Sequence, residues 1–235
     1  MTDTTLKNSL DNQAIFPNGV SEREYEAERR GSLQAHWEGV YQEGDPTGVS
    51  WYQPTPQLSL ELIDSLNLPA GERVLDVGAG ASALPDGLLE RGLKVQVLDL
   101  SARALELTRE RLGARADAVT WQVGNVLSAL LGAAEFAVWH DRAVFHFLTD
   151  GTGQQRYVAQ AAAAVQIGGY AIIATFAPDG PQKCSGLPVQ RYSAAELAAT
   201  FAPSFVLRQE LRHEHVTPSG AMQPFTFVLL ERVNA

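Results

Sequence analysis

Hydrophobic positions along the chain follow two spacings, and the change between them marks out the elements. Leu58, Leu62 and Leu66 recur every four residues, the spacing of one helix face. Thr55 is a candidate cap, Pro56 suits the first helical position, and Pro69-Ala70-Gly71 stops the run. Short continuous apolar runs at 73–77, 94–98, 119–123 and 136–139 then predict buried strands. Between them lie a helix over 83–90, closed by Gly92, and a second helix capped by Ser101 with Leu105, Leu107 and Leu112 on it. A long helix is expected over 153–165, ending near Gly168-Gly169, followed by the most apolar strand at 170–176. Ser193 and Glu196 form a capping box ahead of a short helix. Two strand-like segments, 206–214 and 224–231, flank a turn at Pro218-Ser219-Gly220.

Strands alternating with helices imply a parallel sheet covered on both faces, and the last two strands, joined by a turn alone, should pair antiparallel. Upstream, about twenty polar residues read as a tail or flap. Ser21 and Glu24 form a capping box for a charged helix to about residue 30. A second stretch over 33–41 carries His36, Trp37 and Tyr41. The loop Glu43-Gly44-Asp45-Pro46-Thr47-Gly48 and the aromatic pair Trp51-Tyr52 follow. The expected organisation is an N-terminal tail and helical lid over 1–54 and one α/β domain over 55–235. The fold class is a doubly wound, mostly parallel sheet ending in an antiparallel hairpin.

Composition narrows the class of function. The 235 residues carry 18 basic and 27 acidic side chains, a net charge of −9, which disfavours an extended nucleic-acid surface. No apolar run approaches the roughly 18–20 residues of a membrane span. The single cysteine, Cys184, forms no internal bridge and no CxxC zinc site. The first residues lack a basic region followed by an apolar one, so a secretory signal is not expected. A soluble, cytoplasmic protein with no membrane, metal or nucleic-acid partner is expected.

The chemistry gathers at Val74-Leu75-Asp76-Val77-Gly78-Ala79-Gly80, a strand running into a G-x-G turn before a helix. In an open parallel sheet such a turn lies at the carboxyl edge, where ligands bind. Asp99 ends the next strand, 19 residues beyond Gly80, the position of a carboxylate that accepts from a ribose diol, or else of a dipole partner for the helix at Ser101. No Gly-Lys-Ser/Thr follows Gly80, which excludes a phosphate-cradling loop. Asp76, two residues ahead of Gly78, would repel a pyrophosphate and attract an ammonium group. An adenosine bearing an ammonium and a sulfonium, S-adenosylmethionine, fits that charge pattern better than a dinucleotide.

These two segments, V-L-D-V-G-A-G and V-L-D-L-S at 97–101, resemble the Rossmann-like (class I) S-adenosylmethionine-dependent methyltransferases over about residue 57 to the end. The resemblance implies that Asp76, Gly78 and Gly80 surround the methionyl part and that Asp99 holds the ribose hydroxyls. Ala79, Leu100 and Val126 would be further cofactor contacts. Where the family commonly has an acid facing the adenine amine, this chain has Asn125, whose amide oxygen can also accept. The segments Val49-Ser50-Trp51-Tyr52-Gln53 and Trp139-His140-Asp141-Arg142-Ala143 are locally similar to thiopurine-methyltransferase-like enzymes, which act on small acceptors, often through sulfur or another heteroatom.

Methyl transfer is an in-line displacement in which alignment supplies most of the catalysis, on the order of 7–11 kcal/mol, so no triad is needed. His140 or Asp141 is placed to assist deprotonation of the acceptor. The alternative is that His140 lines the cofactor through its backbone while Asp141 pairs with Arg142. Trp51 and Tyr52 either face a cationic ligand or pack in a lid. His146 reads as a helix-face histidine, and the long loop over 175–186 as a wall for the acceptor. The favoured reading is a methyltransferase with a small-molecule acceptor. A protein lysine methyltransferase and a non-catalytic S-adenosylmethionine-binding regulator stay open as alternatives.

Overall fold

A computed structural model describes residues 22–234, with side chains from Gly31 onward. The polar first segment and the Ser21–Glu24 capping box lie outside the described residues. Helix α1 (Glu22–Glu43) runs unbroken where the sequence predicts two pieces. The glycines inside it, Gly31 and Gly39, each cost only about 1 kcal/mol against alanine, and the contacts of the helix's C-terminal half hold it together. Helix α2 (Gln57–Ser65) has Pro56 at its N-cap with no side-chain cap bond, so Thr55 does not cap it and contributes only its carbonyl to Gln57 N–H.

Strand β1 (Arg73–Val77), helix α3 (Leu84–Glu90), β2 (Lys94–Asp99), α4 (Ala102–Leu112) and β3 (Val119–Val123) then alternate. They lead to β4 (Phe136–Arg142), α5 (Gly151–Ala164) and β5 (Val165–Phe176). A two-stranded ribbon, β6 (Lys183–Cys184) with β7 (Leu187–Pro188), precedes α6 (Ala194–Phe201), β8 (Phe205–Val216) and β9 (Met222–Arg232). Ser101 caps α4 through Ala104 N–H, and the Ser193–Glu196 box closes as the sequence predicts. Helix α5 starts earlier than expected because Asp150 accepts from Gly153 N–H, and it passes straight into β5 instead of running to Gly168.

The seven-stranded sheet has the order β3-β2-β1-β4-β5-β9-β8, parallel from β3 through β5, with β9 antiparallel to both β5 and β8. Strand order reverses between β1 and β4, the crevice where open α/β sheets take their ligands. Alternation splits the core into two layers. Val74, Val95, Val97, Val138 and Ile172 face Leu60, Leu84, Leu88 and Leu105 of the α2–α4 side. Leu75, Val77, Trp139 and Ile173 face Tyr157, Ala161, Leu197 and Phe201 of α5 and α6. Each Val, Leu, Ile or Phe among them, fully buried, stabilises the fold by roughly 1.5–3 kcal/mol. Among the described residues no helix is long and apolar enough to cross a membrane, and no cluster of metal-ligating side chains forms.

Candidate active site

The turn after β1 is built around two glycines with positive φ, +62° at Gly78 and +55° at Gly80. A Cβ at Gly78 would overlap Val144 Cγ2, and one at Gly80 would stand 2.5 Å from the Tyr41 hydroxyl. Both the backbone conformation and the space therefore require glycine here. The Gly78 and Ala79 N–H groups donate to Leu98 C=O at 2.7 and 3.3 Å, which fixes the turn against the end of β2.

Asp99, the last residue of β2, joins both halves of the crevice. Its two carboxylate oxygens accept from Gly80 N–H and Ser101 N–H, each at 2.8 Å. It is thus a partner of the α4 N-terminus and also a wall of the cavity beside it. Burial pushes its pKa up to about 6 despite these bonds.

That cavity measures about 400 Å³. Leu100, Asn125 and Val126 line it on the β2–β3 side, where Asn125 Oδ1 also accepts from Leu127 N–H at 2.9 Å. Trp37, Tyr41, Trp51 and Phe147 line it from α1 and the connections, and Arg142, Cys184 and Leu187 on the β4–β7 side. A smaller cavity of about 60 Å³ lies against the glycine turn, lined by Tyr52, Asp76, Gly78, His140 and Arg142 among others.

Asp76 and His140 stand opposite one another in the β1–β4 register. His140 Nδ1 lies 2.8 Å from Asp76 Oδ1 and Nε2 lies 2.9 Å from Ser59 Oγ, so both imidazole nitrogens are engaged and the ring is only 3% exposed. The second carboxylate oxygen of Asp76, Oδ2, is buried without a partner. Asp141, on the opposite face, accepts from Val144 and Phe145 N–H, both at 2.9 Å, and from the Tyr157 hydroxyl. Burial raises its pKa to about 6. The pairing of Asp141 with Arg142 does not form, because consecutive strand residues point to opposite faces. Arg142 instead donates from Nη1 to Trp51 C=O at 3.0 Å.

The C-terminal half of α1 and the Trp51 segment cover the crevice. Trp51 Nε1 donates to the buried Tyr41 hydroxyl at 3.2 Å, and Trp37 packs edge-on against Trp51 and Phe147 at 5.7 and 5.2 Å. Glu38 accepts from Ser101 Oγ at 2.7 Å, and His36 lies within hydrogen-bond distance of Ser185 on the β6–β7 ribbon at 3.2 Å. Nothing in the sequence marks Trp37 and Tyr41 for this place beyond their i, i+4 spacing, which puts them on one helix face. His146 does lie on a helical turn, Phe145–Phe147, and it faces inward. It sits fully buried in a single turn after β4, where burial and the nearby Arg142 charge push its pKa down to about 3. Cys184 of the expected acceptor wall does line the cavity, as a buried thiol whose pKa burial raises to about 11.

Residues 74–169 match the family model described as a methyltransferase domain. A curated relative, the ubiquinone biosynthesis O-methyltransferase of Azoarcus sp. (strain BH72), is 37% identical over 71 residues, which cover 26% of this chain and 30% of that protein. The chain thus matches less than a third of that relative's length. Among solved structures, the 1,6-didemethyltoxoflavin-N1-methyltransferase of Burkholderia thailandensis, with 1,6-didemethyltoxoflavin and S-adenosylhomocysteine bound, superimposes with a TM-score of 0.66 at 21% identity. That match covers 96% of this chain and 98% of that one. A structure described under the conversion of a disulfide bond into a thioacetal group during echinomycin biosynthesis gives a TM-score of 0.70 at 19% identity, covering 86% and 92%. Residues 74–169 thus match the methyltransferase-domain model, and the described residues share the Rossmann-like fold of these methyltransferase structures.

Proposed function

We propose that the chain transfers a methyl group from S-adenosylmethionine to a small-molecule acceptor bound in the 400 Å³ cavity. The observation that carries this reading is the pair of acids at the glycine turn. Asp99 lines the cavity, and Asp76 keeps a buried oxygen without a partner beside the turn. A buried carboxylate oxygen of this kind calls for a cationic or hydrogen-bond-donating ligand and opposes a phosphate. S-adenosylmethionine presents an ammonium group, a ribose diol and no phosphate, and when bound it supplies a methyl group on a sulfonium.

In this reading Asp99 accepts from the ribose hydroxyls, and Asp76, held by His140, which Ser59 holds in turn, accepts from the ammonium. Gly78, Ala79 and Gly80 let the methionyl part approach the backbone. Leu100 and Val126 flank the adenine, and the Asn125 amide faces its edge. Trp51, which lines both cavities, offers a ring face to the cation, a contact worth about 0.5–2 kcal/mol. His140 contributes by fixing Asp76, and Asp141 by bracing the turn at 144–145 through two backbone N–H bonds. Alignment and exclusion of water then carry most of the catalysis. Residues 22–54 act as the cover, because Tyr41 and Trp51 close over Gly80 and the crevice.

A ubiquinone biosynthesis O-methyltransferase and a 1,6-didemethyltoxoflavin-N1-methyltransferase are among the similar proteins, which supports a small acceptor here. A lone buried free thiol suits a reducing compartment such as the cytoplasm. Incubation of the full chain and a cell extract with methyl-labelled S-adenosylmethionine tests the reading. Label should enter the small-molecule fraction. Label in the protein fraction alone would favour a protein substrate, and cofactor binding without any transfer would favour a regulator.

A further inference from the structure

Arg142 is a charged group at the crevice that the methyl-donor reading leaves unused. It ends β4, lines both cavities, and lies with its guanidinium over the Phe225 ring, 4.7 Å from the centroid. Only Nη1 has a partner, the Trp51 carbonyl. Nε and Nη2 are closed off from bulk solvent and bonded to nothing. The titratable groups that sense this charge are Cys184, His146, His213 and His215. All four are held toward their neutral forms: burial raises the thiol and lowers the histidines, with the Arg142 charge lowering the histidines further. Among the described residues no carboxylate forms an ion pair with Arg142. A cation buried without a counter-ion is strongly unfavourable unless a ligand completes it.

The two idle nitrogens also have a shape. Nε–H and Nη2–H form the side-on fork of a guanidinium, two parallel donors spaced to meet the two oxygens of a carboxylate. Trp37, Phe147 and Leu187 supply apolar and aromatic wall to the same cavity, which Thr149, Asp150, Thr152 and Arg156 also line. We infer that the methyl acceptor is an anion, a small ring-bearing molecule with a carboxylate or similar planar oxyanion that Arg142 binds through Nε and Nη2. This deepens the methyltransferase reading and rests on it, because the acceptor must share the cavity with the methyl donor. The donor's own methionyl carboxylate is a second source of the same chemistry. The acceptor is favoured because the guanidinium lies over Phe225 of β9 and shares the larger cavity with Cys184 and Leu187 of the ribbon; Arg142 also borders the smaller cavity that Asp76 lines, and the test separates the two sources.

The test uses the full chain saturated with S-adenosylhomocysteine, titrated by calorimetry with 2-naphthoate and with its neutral counterpart 2-naphthamide. The anion should bind about tenfold or more tightly than the amide, the difference a charge-assisted fork makes. R142M should erase that preference while its affinity for S-adenosylhomocysteine stays within about threefold of the parent, and R142K should keep part of the preference. Equal or undetectable binding of the two probes by the parent overturns the inference, and needs no variant to show it. So does a preference that survives in R142M. A loss of about tenfold or more in S-adenosylhomocysteine affinity in R142M would also overturn it, by assigning the guanidinium to the donor's carboxylate. Failure of the parent to bind S-adenosylhomocysteine at all would instead sink the methyltransferase reading.

Discussion

Asp99→Asn separates what the carboxylate does for the fold from what it does for the ligand. Asp99 is buried, and its pKa rises from 3.8 to about 6, so near pH 7 the ionised form is roughly 3 kcal/mol less favourable folded than unfolded. The sign follows from the direction. A raised folded pKa gives stability that is present below 3.8 and lost as pH rises through 6. Asparagine is nearly isosteric and neutral, so it removes this liability. Its NH₂ group, however, cannot accept, and one of the 2.8 Å bonds from Gly80 or Ser101 N–H is lost, at a cost of about 1–3 kcal/mol. The two effects nearly offset, leaving the variant between equally stable and about 2 kcal/mol more stable than the parent at pH 7. The ribose diol, in contrast, loses a charged acceptor, worth about 1.5–3 kcal/mol or roughly 10–150-fold in S-adenosylhomocysteine affinity. Urea unfolding at pH 7 and pH 5 together with calorimetric titration reads both quantities. Between pH 7 and pH 5 the variant's stability relative to the parent should fall by about 1.4 kcal/mol. An unchanged S-adenosylhomocysteine affinity would refute the ribose assignment, and a large loss of stability would show that Asp99 is chiefly a strut of the fold.

Gly78→Ala combines a left-handed backbone, costing about 1–2 kcal/mol, with an overlap on Val144 worth about 1–3, so urea unfolding should show a loss of roughly 2–5 kcal/mol. Adding Val144→Ala should relieve only the overlap, and a stable single variant would mean that the turn relaxes. His146, whose folded pKa lies near 3, stays neutral while the unfolded histidine takes up a proton below about 6.5. The parent should therefore lose about 2 kcal/mol relative to His146→Leu between pH 7 and pH 5, and a flat difference would contradict the burial argument. A chain beginning at Ser50 keeps every strand of the sheet but loses Tyr41 over Gly80 and Glu38 at the start of α4. Its unfolding should remain cooperative while methyl transfer falls roughly 100-fold, as expected when the reacting groups are no longer aligned. Full activity in this shortened chain would reject the cover.

Much of the sheet is legible in the sequence because its strands are short apolar runs between strong punctuation. Arg73–Val77 and Val119–Val123 come out with their observed ends. Strand β4 is longer than its apolar run because His140, Asp141 and Arg142 find buried partners or a cavity in the third dimension, which no local pattern reveals. The ribbon Lys183–Pro188 is too short to leave a periodic signal. Asp76, Gly78, Gly80 and Asp99 stand out by spacing, and they converge on one crevice. Trp37 and Tyr41 do not stand out, since an aromatic pair on a helix face is equally suited to a core. His140 and Asp141 are adjacent in sequence yet separated by the sheet, so proximity along the chain suggested a shared task that the alternation of β4 divides.

In this reading the crevice holds an adenosine carrying an ammonium group and no phosphate. Calorimetric titration of the full chain with S-adenosylhomocysteine and, separately, with NAD tests it most directly. S-adenosylhomocysteine should bind with one site per chain, and NAD should give no saturable heat, because Asp76 and Asp99 meet a ligand without phosphate. Tighter binding of NAD, or no binding of S-adenosylhomocysteine, would contradict the account.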